Sequence, residues 1–131
     1  MDATLEKYRD IFDKKTFCYV ATTGMSGKPQ VTPVWCEFDG THIVFNTARG
    51  RVKDKNLAKN PTVAIAAADP ENPYRYVQIQ GRVTEITDKG ADAHIDKMTK
   101  KYTGQDRYPG RKPGEVRLIV KVLPERVQGM G

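Results

Sequence analysis

The sequence predicts a mainly β protein, built as a small antiparallel barrel or a strongly curled sheet with peripheral helices. Three observations support this fold class. Six segments are dense in β-branched and aromatic residues or alternate between apolar and polar side chains. Turn sequences separate them, and only three segments favour a helix. A length of 131 residues suits one domain, which we expect to span residues 1–131.

The first half of the chain predicts two helices and three strands. Apolar side chains at helical spacing predict a helix over residues 4–14. The segments "TFCYVATT" and "QVTPVWCEF" flank the turn "GMSGKP" and predict a hairpin. Asp39-Gly40 then predicts that a third strand, "THIVFNT", runs antiparallel to the second. A short helix over residues 51–59 should end before Asn60-Pro61.

The second half adds three strands and one helix. "TVAIAAA" predicts a strand of small residues, and "YRYVQIQGRVTEI" predicts a long strand in which Gly81 marks a bulge or a bend. Helical spacing predicts a helix over residues 89–103, and a basic loop follows it. Alternating apolar residues predict the last strand: Val116, Leu118, Val120 and Val122.

Composition limits the classes of protein to consider. No apolar run approaches the roughly 20 residues that span a bilayer. The segment "MDATLEKYRD" lacks the features of a secretory signal, so we expect a cytoplasmic protein. Cys18 and Cys36 lie in strand-like runs without C-x-x-C spacing, so we expect two buried thiols, and neither a zinc site nor a disulfide framework. A net charge of +6 favours an acidic partner, such as a nucleic acid or a phosphorylated cofactor, but it also suits a surface that merely faces solvent, and charge alone does not choose among these.

No arrangement typical of a hydrolase is apparent. The chain has one serine, Ser26, and two histidines, His42 and His94, and their local sequences do not resemble a nucleophile and its base. We therefore expect both histidines to be structural or merely exposed. The "GMSGKP" segment is no P-loop, because Pro29 stands where Ser or Thr is required. The sequence therefore gives no support to a hydrolase or a P-loop protein.

The strongest candidate binding segment is "FNTARGRVKDKNL", residues 45–57. If its first half is extended, Thr47, Arg49, Arg51 and Lys53 share one side. An arginine fork and a lysine point charge together suit a phosphate. A helix that begins near Arg51 would add free N–H groups at the same place. The alternative is a solvated basic face that binds no particular anion.

Three segments in this order resemble the pyridoxamine-phosphate-oxidase-like split β-barrel flavoproteins: "VTPVW", "FNTARGRVKDKNLAKNP" and "DPENPYRYVQIQG". In particular they resemble the deazaflavin-dependent branch, which uses coenzyme F420. The resemblance covers about residues 15–123 and implies a six-stranded antiparallel split β-barrel of the FMN-binding-protein type. It also implies a homodimer with two cofactor sites along the subunit interface. The phosphate-binding Arg and His signatures of the pyridoxamine-phosphate oxidases proper are not recognisable in the C-terminal region, so vitamin B6 oxidation is not expected.

The resemblance also assigns cofactor-binding residues by position, in three groups. The phosphate group of the family corresponds to Thr47, Arg51 and Lys53, with Asn46 beside them. The strand that lines the ring corresponds to Thr32, Pro33, Val34 and Trp35. In the family, residues of the partner strand contact the ring or the tail of the cofactor, and by position these correspond to Arg75 and Tyr76.

These implications favour an oxidoreductase that carries hydride between reduced F420 and an unsaturated organic substrate. The ring performs the chemistry while the protein binds, orients and excludes water, which explains the missing catalytic dyad. No catalytic residue is identified, and a required proton could come from solvent or from Tyr76. One alternative keeps the fold but binds FMN. Another is a non-catalytic basic module for nucleic acid; since no such motif is present, we expect neither a nucleic-acid nor a membrane partner.

Overall fold

The computed structural model describes residues 3–131, which contain one curled antiparallel sheet of seven strands. The strands are β1 (Cys18–Thr23), β2 (Pro29–Val34), β3 (Cys36–Phe38), β4 (Ile43–Ala48), β5 (Thr62–Asp69), β6 (Asn72–Thr87) and β7 (Arg117–Met130). The helices are α1 (Ala3–Lys7), α2 (Arg9–Asp13), α3 (Val52–Lys59) and α4 (Ala91–Thr103). The order across the sheet is β2-β1-β5-β6-β7-β4-β3. The mainly β, antiparallel fold class is therefore confirmed.

The number of strands differs from the predicted six because "QVTPVWCEF" is interrupted at Trp35. β2 ends at Val34 and pairs with β1, whereas β3 begins at Cys36 and pairs with β4. These two short strands lie at opposite ends of the strand order but are joined by one residue. The two ends of the sheet must therefore approach each other, which curls the sheet around its apolar core.

Most other elements agree with the sequence. Both predicted hairpins are present, and α3 and α4 lie within two residues of their predicted bounds. The pairing of β6 with β7 shifts at Gly81, as expected of a bulge. A Cβ atom at that position would lie 2.6 Å from the Leu123 carbonyl oxygen, so only glycine fits. β7 extends beyond the predicted segment to Met130 because it continues to pair with β6.

The predicted first helix is divided into α1 and α2 at Tyr8. The backbone of Tyr8 leaves the helical region, with φ −107° and ψ 9°, and its side chain is buried. The ring lies directly over Gly129 of β7, where a Cβ atom would collide with it. Burial of Tyr8 against the end of β7 thus accompanies the break in the predicted continuous helix.

The expectation of two free thiols is wrong, because Cys18 and Cys36 form a disulfide. Both residues are fully buried, as expected, and their Cα atoms are 6.2 Å apart, within the range that a disulfide can bridge. The bond links β1 to β3 across the place where the sheet closes. The spacing of the two cysteines contained no sign of this closure, because it depends on the break at Trp35.

The apolar core lies inside the curl of the sheet. Alternate residues of the strands contribute to it, and α1, α2 and α3 add apolar side chains. The large, fully buried side chains include Phe12, Phe45, Ile65 and Ile79. Within residues 3–131, no helix combines the length and the apolar character needed to cross a membrane.

Reduction of the disulfide should destabilise the fold by about 3 kcal/mol, because a cross-link over a loop of this size removes that much chain entropy from the unfolded state. The two cysteines are 18 residues apart in sequence. Urea unfolding with and without a reductant measures the difference. The double variant Cys18→Ala, Cys36→Ala should unfold at one urea concentration in both conditions. Two titratable thiols in the denatured, unreduced wild-type protein would contradict the bond.

Candidate functional site

A cavity of about 210 Å³ lies where the sheet closes, beside the junction of β2 and β3. Its lining comes from parts of the chain that are distant in sequence: the segment before β1, the β2–β3 junction, the end of β4, the start of α3, α4, the loop after α4 and the start of β7. The lining residues are Phe17, Pro33, Val34, Trp35, Asn46, Arg51, Lys53, Ile95, Tyr108 and Arg117. The cavity therefore combines aromatic surface with three cationic side chains.

The aromatic part is built on Trp35. Its ring stacks on Tyr102 of α4, with centroids 5.3 Å apart and planes inclined by 15°, and meets the edge of Tyr108 at 6.4 Å. The Tyr102 hydroxyl donates a hydrogen bond of 2.6 Å to the Thr16 carbonyl and accepts one of 3.1 Å from the Cys36 N–H. Burial raises the pKa of Tyr102, so the hydroxyl keeps its proton at neutral pH. Stacking on Tyr102 thus fixes the orientation of the Trp35 ring, which forms a flat wall of the cavity.

The cationic part contains more positive charge than the surrounding carboxylates neutralise. Glu115 lies 3.2 Å from Arg117 Nη1 and 3.8 Å from Arg51 Nη2, so two arginines share one carboxylate. Lys53 is only 6% exposed, and its ammonium group has no hydrogen bond or ion pair with any side chain or carbonyl of residues 3–131. Burial, together with the charges of Arg51 and Arg117, lowers the pKa of Lys53. A bound anion would supply the missing charge.

The local sequence explains how Arg51 and Lys53 enter the cavity. β4 ends at Ala48, a turn follows at Gly50, where φ is +90°, and α3 begins directly after Arg51. The Gly50 N–H donates 2.7 Å to Asp54 Oδ2, which closes the turn. The start of α3, and not strand alternation, therefore brings these two cations to the lining.

The idea that Thr47, Arg49, Arg51 and Lys53 share one side of an extended segment is wrong, because the chain turns at Gly50. Arg49 is exposed and lies 3.8 Å from Asp88. The side chains of Lys55 and Lys59 are exposed, so the positive charges of this segment divide between the cavity and solvent.

The structure gathers six of the ten predicted cofactor-binding residues at the cavity: Pro33, Val34, Trp35, Asn46, Arg51 and Lys53. Thr32 and Thr47 are next in sequence to this group but do not line it. Their hydroxyl oxygens are the fully buried side-chain N and O atoms that lack a hydrogen-bond partner among residues 3–131. Buried hydroxyls without a partner are uncommon in a protein interior.

Arg75 and Tyr76 lie outside this cavity. Arg75 donates to both oxygens of Asp10 at 2.8 and 2.9 Å and to Asp69 at 3.2 Å, so its guanidinium joins α2 to the β5–β6 hairpin. Tyr76 is 37% exposed on the outer side of β6. Within one copy of the chain they do not meet the other predicted residues, and their role from a partner strand stays a prediction.

Four lining residues were not predicted as site residues: Phe17, Ile95, Tyr108 and Arg117. Tyr108 belongs to the basic loop after α4, which the sequence presents as unstructured. Its N–H donates 2.8 Å to Asp96 Oδ1, and Arg111 reaches the same oxygen at 2.7 Å, so the loop is held against α4. Arg117 lies 5.2 Å from the centre of the Tyr108 ring. For Arg117, one sequence feature could have indicated a role in the site: it is a charged residue inside the last predicted strand.

Comparisons with known proteins agree on one fold. The pyridoxamine 5'-phosphate oxidase family profile matches residues 4–131. The structure of an F420 reductase is 28% identical, over 98% of both chains, with a TM-score of 0.81. A conserved hypothetical protein from Mycobacterium tuberculosis is 22% identical, over 99% of this chain and 84% of that one, with a TM-score of 0.73. A Listeria innocua protein, provisionally described as a pyridoxamine 5'-phosphate oxidase, is 14% identical over 95% of both chains, with a TM-score of 0.72. No curated protein matches.

Replacement of Lys53 by Met should stabilise the free protein by roughly 0.5 to 2 kcal/mol, because it keeps the buried stem and removes an unpaired charge. The folded-state pKa of Lys53 lies below the ordinary 10.5, so protonated Lys53 destabilises the fold at neutral pH. The gain should therefore shrink as the pH approaches 10.5. Urea unfolding at several pH values tests this. The exposed control Lys59→Met should change stability by less than about 0.5 kcal/mol, and an equal gain in both variants would contradict the argument.

Proposed function

The chain belongs to the pyridoxamine 5'-phosphate oxidase family, and from this membership and the composition of the cavity we propose that it is an oxidoreductase using reduced coenzyme F420. Its reaction is hydride transfer to an unsaturated organic substrate. The observation that carries the proposal is a buried lysine that has no counter-charge among the described residues, in a cavity that also presents a flat aromatic wall. F420 is preferred because the F420 reductase is similar over almost the whole length of both chains.

The cationic residues account for the phosphate of such a cofactor. Lys53 provides a point charge, and the guanidinium groups of Arg51 and Arg117 provide planar forks suited to phosphate oxygens. Glu115 restrains both arginines without neutralising the whole group. Each hydrogen bond to a charged partner contributes roughly 1.5 to 3 kcal/mol, so loss of Lys53 alone should be measurable.

The aromatic residues account for the ring. Trp35, backed by Tyr102, offers a flat surface, and Pro33 and Val34 add apolar contacts along the same junction. When bound, a deazaflavin ring supplies the hydride chemistry. The chain's own contribution is to hold the phosphate, orient the ring and keep water from the apolar part of the cavity. A proton that the substrate requires would come from solvent or from Tyr76 of a second copy.

FMN is the second candidate. The family carries the description pyridoxamine 5'-phosphate oxidase, and its members share a flavin-binding oxidoreductase fold. FMN also carries one phosphate and a flat ring, so the same lysine, arginines and tryptophan would serve it. The two cofactors are distinguished by direct titration, since both should use Lys53.

We further propose that the protein is a homodimer that associates through the outer face of the sheet. Strand register places ten residues of this face in two rows: Pro33, Tyr19, Ala66, Gln78 and Gln128, then Val31, Ala21, Ala64, Gln80 and Arg126. Arg126 is the one charged residue among them. Three central alanines allow a second sheet to approach closely, and glutamine amides are self-complementary across a twofold axis.

This outer face borders the cavity, because Pro33 belongs to both. Tyr76 lies on the same face, two residues before Gln78. In the proposed dimer, Tyr76 of each copy would therefore belong to the interface that borders the cavity. The proposed dimer and the proposed cofactor site thus support each other.

Light scattering should give a mass of about twice 14.7 kDa. Ala64→Arg should produce a folded monomer, since it places a charge at the centre of the outer face without disturbing the core. Thr41→Arg, on the exposed turn between β3 and β4, is the control and should remain a dimer. A wild-type monomer at all concentrations would exclude the dimer.

Fluorescence titration of the wild-type protein should show tighter binding of F420 than of FMN. Lys53→Ala should weaken binding of the preferred cofactor by roughly 10- to 100-fold, because it removes one charged hydrogen bond. Lys59→Ala removes the same charge from the far end of α3, where solvent and salt screen it, and should change affinity by less than about twofold.

Each failure has a distinct meaning. Binding of FMN without F420 would replace the cofactor but keep the site. Equal losses in both lysine variants would indicate a diffuse basic face, and normal binding by folded Lys53→Ala would place the cofactor elsewhere.

A further inference from the structure

A continuous chain of hydrogen bonds connects the surface near α4 to the cavity. Glu37 Oε2 lies 3.0 Å from His94 Nε2, His94 Nδ1 lies 3.1 Å from Asn46 Nδ2, and Asn46 Oδ1 lies 2.8 Å from Arg117 Nε. Asn46 and Arg117 line the cavity, whereas Glu37 and His94 do not. The side chains of Arg117 and His94 are only 4% and 9% exposed. The sequence had suggested no more than a structural or exposed role for His94.

The chemistry of the partners determines the direction of every bond in this chain. Arg117 Nε can only donate, so the Asn46 atom that faces it is the carbonyl oxygen. The Ala91 carbonyl can only accept, so it receives one N–H of the Asn46 amide at 3.0 Å. The second N–H of Asn46 then points at His94 Nδ1, which must accept. The imidazole is therefore neutral, with its proton on Nε2 and directed at Glu37.

Glu37 is ionised and can accept the hydrogen bond from His94 Nε2. Its other carboxylate oxygen receives a 3.0 Å hydrogen bond from Lys97 Nζ. The bonds from His94 and Lys97 lower the pKa of Glu37 to about 2, so the carboxylate is ionised at neutral pH. The orientation of His94 is thus anchored from outside the cavity.

We propose that His94 is a positioning residue of the anion site: it holds the Asn46 amide in the orientation that fixes the Arg117 guanidinium at the cavity. This inference rests on the proposed function, because it concerns the same phosphate. Arg117 Nη1 bonds to Glu115, and Nη2 has no hydrogen-bond partner among the described residues, so it is available to an anion. An arginine ordered before the anion arrives loses less conformational freedom on binding.

Removal of the acceptor at His94 Nδ1 leaves one Asn46 N–H unsatisfied. The amide can then rotate, and Arg117 loses the acceptor that holds its Nε–H. Two variants separate this role from simple packing. His94→Asn places its amide near the position of Nδ1 and retains an acceptor for Asn46, whereas His94→Gln places its amide near Nε2 and retains only the contact with Glu37.

The first measurements use the protein without any ligand. Nitrogen-15 spectra of the wild-type protein at pH 7.5 should show His94 neutral with its proton on Nε2; a proton on Nδ1 would overturn the inference. Exchange of the Arg117 Nε–H with solvent should be about tenfold faster in His94→Gln and within about twofold of wild type in His94→Asn. Unchanged exchange in His94→Gln would also overturn it.

The second measurement is calorimetric titration with inorganic phosphate. His94→Gln should bind about 3- to 10-fold more weakly than wild type, and His94→Asn should recover affinity to within about twofold. His42→Gln, on the turn that precedes β4, controls for loss of a histidine and should bind normally. If wild type binds phosphate and His94→Gln binds it equally well, the result supports the anion site but contradicts the positioning role of His94. If wild type binds no phosphate, the anion site of the proposed function is wrong and the inference falls with it.

Discussion

The single-residue connection at Trp35 is the constraint on which the rest of this structure depends. It joins β2 and β3, the strands at the two ends of the sheet order. Consecutive Cα atoms are about 3.8 Å apart, so a link of one residue forces these ends together. The Cys18–Cys36 disulfide ties β1 to β3 at the same place. The cavity lies beside this closure, and Trp35 is part of its wall.

The charges at this cavity have a stability cost that binding would offset. Lys53 is buried and has no counter-ion in the part of the chain that the structure describes, and Arg51 and Arg117 share the carboxylate of Glu115. A chain selected only for stability would replace such a lysine with an apolar residue. Functional sites commonly keep groups of this kind, because the ligand completes the interactions that the protein alone leaves open.

Residues of α4 hold both the aromatic part and the cationic part of the cavity in place. Tyr102 supports Trp35, and it is itself held by backbone groups of Thr16 and Cys36. On the other side, His94 and the Ala91 carbonyl contact the amide that meets Arg117. α4 therefore contributes to both parts, through Tyr102 on one side and through Ala91 and His94 on the other.

The sequence by itself determined the features that depend on neighbouring residues. Strand and turn propensities predicted the hairpins, glycine at position 81 predicted the bulge, and the stop at Asn60-Pro61 predicted the end of α3. The tertiary structure alone decided which distant groups meet. The Cys18–Cys36 bond, the entry of Arg117 into the cavity and the contact of His94 with Asn46 each join residues from separate elements. Local sequence patterns do not predict such contacts, because the contacts form only when the sheet closes and α4 packs against it.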